Sequence, residues 1–258
     1  MDPNIERQLI VTIEERMKRS GSFYYKREDS IVYDFDVDEN DGHLRGIILG
    51  PNTVDGLSIV DGALDIWKKD SRKNWRIRMA MDQKEKYREE LYNRGFYIKD
   101  ENGGPAMERG EKIHRDIKYS VEFPEINDEI IDEVAVVLGL SFELSEKTSK
   151  KLIQILHQGE LALIRDENTG EVLSSGFLSQ DPKTDYWGLY YIGTHPDHRG
   201  KGLAKDLVAT MTNYALDHHA KKVILQASEL GKYVYDALGY CDVGSYITFY
   251  WERKSEKC

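Results

Sequence analysis

The sequence predicts a mixed α/β fold, of the α+β kind, built from two units with a similar order of elements. Apolar residues recur with a period of two in some short segments and near 3.6 in others, and these segments alternate along the 258 residues. The second half shows a clear order of such segments. The first half shows a weaker version of it at a period of roughly 144 residues, far longer than a solenoid repeat. The correspondence indicates an internal duplication.

The second half is expected to follow the order β-α-α-β-β-β-α-β-α-β. Asn127 is suited to cap a helix with an apolar stripe, and residues 166–170 are rich in turn formers. The predicted strands cover residues 119–123, 161–165, 172–179, 186–194, 222–227 and 244–251. The predicted helices cover residues 128–138, a segment from 145, residues 203–219 and residues 230–238.

The first half is expected to contain the same kinds of element without the opening strand. Predicted helices cover residues 4–19, 57–69 and 84–94, and predicted strands cover residues 23–26, 31–37, 44–50 and 75–81. Residues 99–112 are rich in charge and turn formers, so we expect a hairpin loop, a short last strand and then a domain boundary near 113. This gives domains 1–113 and 114–258. Two unrelated small α/β domains are the alternative.

Composition restricts the class of protein. Hydrophobic residues make up 40% of the chain, as in ordinary globular proteins, and no apolar run approaches the ~20 residues of a membrane span. The net charge of −10 counts against nucleic-acid binding. The amino terminus has no signal-peptide pattern, and the two cysteines and seven histidines show neither a disulfide framework nor metal-ligand spacing. We therefore expect a metal-free cytoplasmic protein without a membrane partner.

Residues 194–204, between a predicted strand and a predicted helix, carry the strongest functional signal. Gly200 and Gly202 remove side chains where a ligand must approach the backbone closely. The amino end of the following helix offers N–H groups and a partial positive charge, to which Arg199 and Lys201 add. The pattern predicts a site for a phosphate group.

Residues 118–253 resemble the GNAT superfamily of N-acetyltransferases in two motifs. Residues 195–204 are similar to that family's acetyl-CoA pyrophosphate loop, in which Gln or Arg is followed by two residues, Gly, one residue, and Gly or Ala. Asp197 stands at the first position and departs from the pattern. Residues 226–240 look like the family's later strand–helix motif, in which a Tyr precedes Leu-Gly-Phe. Both motifs occur in the family's order and separation.

The resemblance implies two tandem GNAT-like domains, each a mixed, mostly antiparallel twisted sheet flanked by helices. It implies that acetyl-CoA is the cosubstrate of the second domain. The strand before the loop splays from its neighbour in the family, and its backbone binds the pantetheine arm and the carbonyl. The implied cofactor-binding residues are Ile192, Gly193, Thr194, Arg199, Gly200, Lys201, Gly202, Leu203, Ala204 and Ser228.

The first half resembles the same fold without the cofactor loop. Residues 50–57 stand where the loop stands, which pairs Val54 with Arg199 and Asp55 with Gly200. An aspartate at that position would repel a pyrophosphate. Leu91 is paired with Tyr235. We therefore expect a degenerate copy that does not catalyse, and one active site per chain.

The reaction implied by the resemblance is direct transfer of an acetyl group to a primary amine in a ternary complex. Tyr235 is the implied general acid for the CoA thiolate, because a phenol with its ordinary pKa of about 10 holds its proton at neutral pH. Tyr233 is the fallback, although the two tyrosines point to different helix faces.

The general base is not determined by the sequence, because residues 186–194 contain no carboxylate. Tyr190, Tyr191 and Asp185 are the nearby polar candidates. His195 and His198 are expected to be exposed to solvent beside the phosphate turn.

The acceptor is also open: a polyamine, an amino acid, an aminoglycoside-like compound, or the amine of a peptide or protein. The first domain either shapes the acceptor site or binds a partner, and a homodimer is left open. The alternative function is a non-catalytic acyl-CoA-binding module that engages a partner through its first domain.

Overall fold

The computed structural model describes residues 23–27, 29–34, 45–69, 74–156, 159–180 and 184–252. The helix predicted for residues 4–19 lies outside these described residues, as do Phe35 and Val37 of a predicted strand. The chain divides into two compact units. The first unit consists of Met1–Gly104 and Gly244–Cys258, and the second consists of Pro105–Val243.

Both strands and helices are present in each half of the described chain, as the sequence predicts. The strands are β1 (Phe23–Arg27), β2 (Ser30–Asp34), β3 (Arg45–Ile48), β4 (Asn74–Ala80), β5 (Tyr97–Ile98), β6 (Gly104–Arg109), β7 (Glu160–Arg165), β8 (Val172–Gln180), β9 (Tyr186–Thr194), β10 (Lys222–Gln226) and β11 (Cys241–Glu252). The helices are α1 (Gly56–Trp67), α2 (Lys84–Asn93), α3 (Asp128–Phe142), α4 (Glu146–Leu156), α5 (Leu203–Asp217) and α6 (Glu229–Ala237).

The first unit contains a mixed sheet in the order β1-β2-β3-β4-β11, with β5 also paired to β11. The pairs are antiparallel except for β3 and β4, which are parallel and are joined through α1. The strand β11 takes part through residues 246–252. Its Ile247 and Phe249 are fully buried in the core of this unit, where Trp67 and Trp75 stack with their ring centroids 4.1 Å apart.

The second unit contains a sheet with the same succession of strand directions, in the order β7-β8-β9-β10-β6. The strands β9 and β10 are parallel and joined through α5, as parallel neighbours require a crossover, and the other pairs are antiparallel. Leu207, Val208 and Met211 of α5 are fully buried in the core. The mixed α/β fold class predicted from the sequence is confirmed.

The limits of the two units differ from the predicted boundary near residue 113. The strand β6, expected to end the first half, pairs with β10 of the second unit. The segment expected as the last strand of the second half, residues 244–251, pairs with β4 of the first unit. Alternation of apolar residues marks a segment as a strand but carries no information on its partner, so the pattern alone could not reveal this arrangement.

Residues 119–123 were predicted to form a strand, but only Glu122 pairs, in an isolated antiparallel bridge with Leu163. The residues before it, 113–119, form a segment that we call the strap. Backbone N–H groups of Lys118 and Tyr119 donate to the carboxylate of Asp206 on α5. These donors are therefore satisfied by a helix side chain instead of a neighbouring strand.

Phe249→Ala tests the assignment of β11 to the first unit. Because Phe249 is fully buried, the substitution should lower the free energy of unfolding of that unit by about 3–5 kcal/mol. Hydrogen exchange should become faster in peptides from β2 to β4 and stay unchanged in peptides from β7 to β9. Thr248→Ala, at the half-buried neighbouring position, is the control. Faster exchange confined to β7–β9 would contradict the assignment.

Candidate active site

The predicted phosphate turn connects β9 to α5. β9 ends at Thr194, a 3₁₀ turn covers Pro196–His198, and α5 begins at Leu203. Gly200 and Gly202 adopt left-handed backbone conformations with φ of +76° and +96°, which other residues adopt only under strain. A Cβ on either glycine would meet no described atom within 4 Å. The space beside both glycines is therefore open to a ligand.

The amino end of α5 has no side-chain cap, because its N-cap residue is Gly202. No backbone acceptor among the described residues bonds to the N–H groups of residues 200–204. First-turn N–H groups of a helix lack partners inside the helix and carry a partial positive charge. This end of α5 therefore presents a row of unsatisfied donors to an anion.

The charged residues of the turn have different surroundings. The guanidinium Nε of Arg199 donates to the Thr194 carbonyl at 3.2 Å, which ties the turn to the end of β9. Lys201 is exposed, with its Nζ 3.4 Å from Nδ1 of His198. The side chain of Leu203 is buried in the core, so only its backbone can reach a ligand, whereas Ala204 is half-buried.

β9 separates from β10 along most of its length. Only residues 186–188 of β9 pair with β10, opposite residues 222–224. Residues 189–194 continue in β9, but within the described residues they have no partner in β10. The splay that the resemblance implied is thus present, and the predicted site residues 192–194 lie at its open end.

A β-bulge interrupts the pairing of β9 with β8 next to these residues. Ser175 pairs with Gly193 and Phe177 pairs with Tyr190, so that two residues of β9 oppose one of β8. Tyr191 has a φ of +52°, which is rare for an aromatic residue. A Cβ on Gly176 would lie 2.4 Å from Cδ1 of Ile192. The glycine in β8 therefore makes room for the Ile192 side chain at the bulge.

Two serines that the sequence did not single out bind the end of β9. Ser174 Oγ donates to the Gly193 carbonyl at 2.7 Å, and Ser141 Oγ at the end of α3 donates to the Thr194 carbonyl at 3.2 Å. A Cβ on Gly193 would lie 2.9 Å from Ser141 Oγ. Glycine within a strand is a sequence signal for such a close approach, but it does not say which residue approaches.

The backbone of Thr194 faces away from β8. Thr194 is opposite Ser174, while the N–H of the next residue, His195, donates to the Leu173 carbonyl at 2.9 Å. In an antiparallel ladder this alternation makes Ser174 and Thr194 a non-hydrogen-bonded pair, whose own N–H and C=O groups point outward. The Thr194 N–H therefore points to the edge that β10 has left.

Tyr235 of α6 is buried in the core of the second unit, with 7% of its surface exposed. Its ring packs edge-on against Tyr240 with the centroids 5.8 Å apart. Burial raises the pKa of Tyr235 above its usual range, because the charged phenolate is poorly solvated there. The hydroxyl therefore keeps its proton at neutral pH. The fallback residue Tyr233 is 73% exposed on another face of the helix.

Ser228 is the N-cap residue of α6, and its Oγ accepts the N–H of Gly231 at 3.1 Å. The hydroxyl is exposed at the end of the loop that follows β10. It keeps its O–H as a donor, so capping and ligand binding are compatible.

The base candidates occupy three different places. Asp185 is exposed directly before β9 and lies roughly 25–30 Å from Thr194 along a strand that rises ~3.3 Å per residue. Tyr191 lies at the bulge, with its ring edge-on to Phe142 at 5.5 Å. The Tyr190 ring lies over Gly188, the last residue of β9 that pairs with β10, because a Cβ on Gly188 would lie 2.5 Å from atoms of that ring. Tyr190 and Tyr191 are thus nearer to residues 192–194 than Asp185 is.

His195 and His198 were expected to be exposed. His195 is partly covered, with 27% of its side chain exposed, and its Nδ1 accepts the N–H of Asp197 at 3.3 Å. The two imidazole rings are edge-on at 5.5 Å. Within the described part of the chain, no His, Cys, Asp and Glu side chains form a group that could hold a metal ion.

An open groove of about 890 Å³ borders the turn on the side of α3. Its carboxylates are Glu129, Glu133, Glu171 and Asp197. The guanidinium of Arg165 in this groove is already paired with Glu133, at 3.1 and 2.6 Å. The groove is therefore unsuited to a phosphate, and an anion is expected on the glycine side of the turn.

The first unit has carboxylates where the second has open glycines. Asp55 is the N-cap residue of α1 and its side chain accepts the N–H of Ser58 at 3.2 Å. As an N-cap residue, Asp55 corresponds to Gly202, the N-cap residue of α5, and not to Gly200, with which the sequence comparison paired it. Asp29 accepts the N–H of Asn52 at 2.7 Å. Backbone donors near this helix end are thus already bonded to internal anions.

The ends of α2 and α6 correspond residue by residue. The Phe96 N–H donates to the Leu91 carbonyl and the Tyr240 N–H to the Tyr235 carbonyl, each at 3.0 Å. Gly95 and Gly239 have φ of +87° and +73°, as expected for the left-handed residue that ends a helix. The predicted pairing of Leu91 with Tyr235 therefore holds in the backbone geometry, and leucine has no proton to donate.

Comparison with known proteins finds a family model that matches part of the chain. The sequence model described as the acetyltransferase (GNAT) family matches residues 131–240, which include β7 to β10, the turn and α6. No curated protein sequence matches the chain significantly. Among the described residues, no helix is both long enough and apolar enough to cross a membrane.

Solved structures of similar fold span most of the chain. A GCN5-related N-acetyltransferase from Kribbella flavida has a TM-score of 0.69 at 12% identity, covering 94% of this chain and 95% of that chain. One from Sphaerobacter thermophilus has a TM-score of 0.61 at 10% identity, covering 100% of this chain and 96% of that chain. A tandem GNAT protein from the clavulanic acid biosynthesis pathway has a TM-score of 0.60 at 15% identity, covering 82% and 76%.

The sequence motif, the splayed strand and the similar folds agree. Residues 131–240 therefore match the acetyltransferase (GNAT) family model, and solved GNAT structures share the fold of most of the chain.

Proposed function

We propose that the chain is an acetyl-CoA-dependent N-acetyltransferase that moves an acetyl group directly to a primary amine, with its only active site in the second unit. The observation that carries this proposal is the open, glycine-lined amino end of α5, which directly follows the part of β9 that no longer pairs with β10. A pyrophosphate fits the helix end because it can accept several N–H groups there. A pantetheine arm fits the edge of β9 because its amides can pair with a free strand edge.

The acetyl thioester would supply the activated acyl group. Those backbone N–H groups of residues 192–194 that face the open edge, with Thr194 among them, are proposed to stabilise negative charge on the carbonyl oxygen, an effect typically worth about 3–4 kcal/mol. Ser141 and Ser174 bond the carbonyls of this segment and so hold its orientation. The carbon–nitrogen bond forms as the carbon–sulfur bond breaks.

In this scheme the acceptor nitrogen loses two protons and the sulfur gains one. The ammonium loses the first proton to solvent, through Tyr190, Tyr191 or a water chain, before it can attack, and the nitrogen loses the second to solvent as the amide forms. Tyr235 is proposed to supply the proton for the departing sulfur and to recover a proton from solvent. Because burial raises its pKa, Tyr235 is proposed to act as a hydrogen-bond donor that shares its proton while the carbon–sulfur bond breaks.

The acceptor is proposed to be a small-molecule or peptide amine. Purified protein with acetyl-CoA and a panel of polyamines, amino acids, aminoglycosides and lysine-containing peptides tests the function by thiol release. Release above the rate without amine is expected for at least one class. Acetyl-CoA binding without release for any amine would favour the non-catalytic alternative.

Gly202→Ala should weaken acetyl-CoA binding by about tenfold or more, since one lost interaction of 1.4 kcal/mol is a factor of ten. The new methyl group would project into the open space beside the turn, and the left-handed backbone would be strained. Titration calorimetry measures the dissociation constant.

Gly170→Ala is the matched control for this prediction. Gly170 is also left-handed, with φ of +77°, and a Cβ there also meets no described atom within 4 Å, but it lies in the turn between β7 and β8. It should be similarly strained and bind acetyl-CoA normally. Equal losses of affinity in the two variants would mean that backbone strain, and not the site, explains the effect.

Tyr235→Phe should lower kcat by about 100-fold or less, the low end of general acid catalysis, with little change in the KM for acetyl-CoA. Tyr233→Phe, at the exposed position on the same helix, should keep full activity. Because burial raises the pKa of Tyr235, wild-type kcat should not fall through its ionisation up to pH 10. A Tyr235→Phe variant with undiminished kcat would remove the assigned role.

A further inference from the structure

A buried carboxylate lies beside the proposed phosphate site. Asp206 is in the first turn of α5 and has only 1% of its surface exposed. A negative charge in the first turn of a helix interacts with the same partial positive charge that attracts a bound anion. Unless it is balanced, Asp206 would weaken the affinity of this helix end for pyrophosphate, and its burial would strengthen the repulsion.

The strap supplies the balancing charge and the hydrogen bonds. Arg115 Nη2 lies 2.7 Å from Oδ1 of Asp206. The N–H groups of Lys118 and Tyr119 donate to Oδ2 at 2.9 and 3.2 Å. The carboxylate is thus bound by one cation and two backbone donors.

The strap is fixed to the helix at a second point and reaches the turn itself. The side-chain amide of Asn213, two helical turns further along α5, accepts the Ile113 N–H at 2.8 Å and donates to the Ile113 carbonyl at 2.9 Å. The Tyr119 hydroxyl donates to the Lys201 carbonyl at 3.4 Å. These contacts hold Arg115 against α5 and connect the strap to the glycine turn.

We propose that Arg115 is a positioning residue for acetyl-CoA, which acts by neutralising Asp206 and so keeps the amino end of α5 attractive to pyrophosphate. This inference rests on the proposed function, and it gives the strap a role in cosubstrate affinity beyond joining segments of the chain. Arg115 need not touch the ligand, because its effect passes through the charge of Asp206.

Three variants test the charge balance by calorimetry with acetyl-CoA. Arg115→Met leaves the carboxylate uncompensated and should weaken binding about tenfold, a coupling within the range seen for contacting residues. Asp206→Asn removes the charge but keeps an oxygen for the two N–H groups, and should bind as tightly as wild type or up to about threefold tighter. The double variant should return to within about twofold of wild type.

Lys112 and Asp217 provide a matched control at the other end of α5, where they form an exposed ion pair. Lys112→Met and Asp217→Asn should not change the affinity for acetyl-CoA. Thermal unfolding of every variant separates a loss of fold from a loss of affinity. A structural role alone would lower the melting temperature without the recovery of affinity in the double variant.

The outcomes separate this inference from the proposed function. Wild-type protein that does not bind acetyl-CoA overturns both. Wild-type protein that binds while Arg115→Met binds equally well overturns the inference alone. If Asp206→Asn binds acetyl-CoA as weakly as Arg115→Met does, the inference is also overturned, because the charge of Asp206 would then not be the cause of the lost affinity.

Discussion

β9 leaves β10 after Gly188, and the candidate site consists largely of the backbone of β9 beyond that point and of the amino end of α5. A strand edge normally binds another strand, and here the edge continues into the uncapped end of α5. The bulge at Tyr191 and the bonds from Ser141 and Ser174 orient the last residues of β9. Since backbone geometry carries the site, side chains are free to change.

The two units differ at the start of the helix that links their parallel strands. Both sheets have the same succession of strand directions, and in both a helix links the parallel pair. In the first unit, Asp29 and Asp55 bond to the backbone N–H groups beside the helix start. In the second unit, Asp206 in the first turn of α5 is buried and paired with Arg115. The position of a carboxylate relative to the helix end thus distinguishes the two units.

Local sequence signals predicted the features that depend on local structure. The cap Asn127, the glycine turn before α5 and the order of strands and helices all arise from neighbours along the chain. The partners of β6 and β11 could not be predicted, because either strand satisfies the same alternating pattern in either sheet. The contacts of Ser141 with Thr194 and of Arg115 with Asp206 join residues far apart in sequence, and no local period marks them.

Amide-resolved NMR during titration with acetyl-CoA tests most directly whether the amino end of α5 binds the cosubstrate. Chemical-shift changes should be largest for the amides of residues 192–194 and 200–204, with those of residues 52–58 in the first unit unaffected. The largest changes at residues 52–58, or none at either helix start, would contradict the site described for α5.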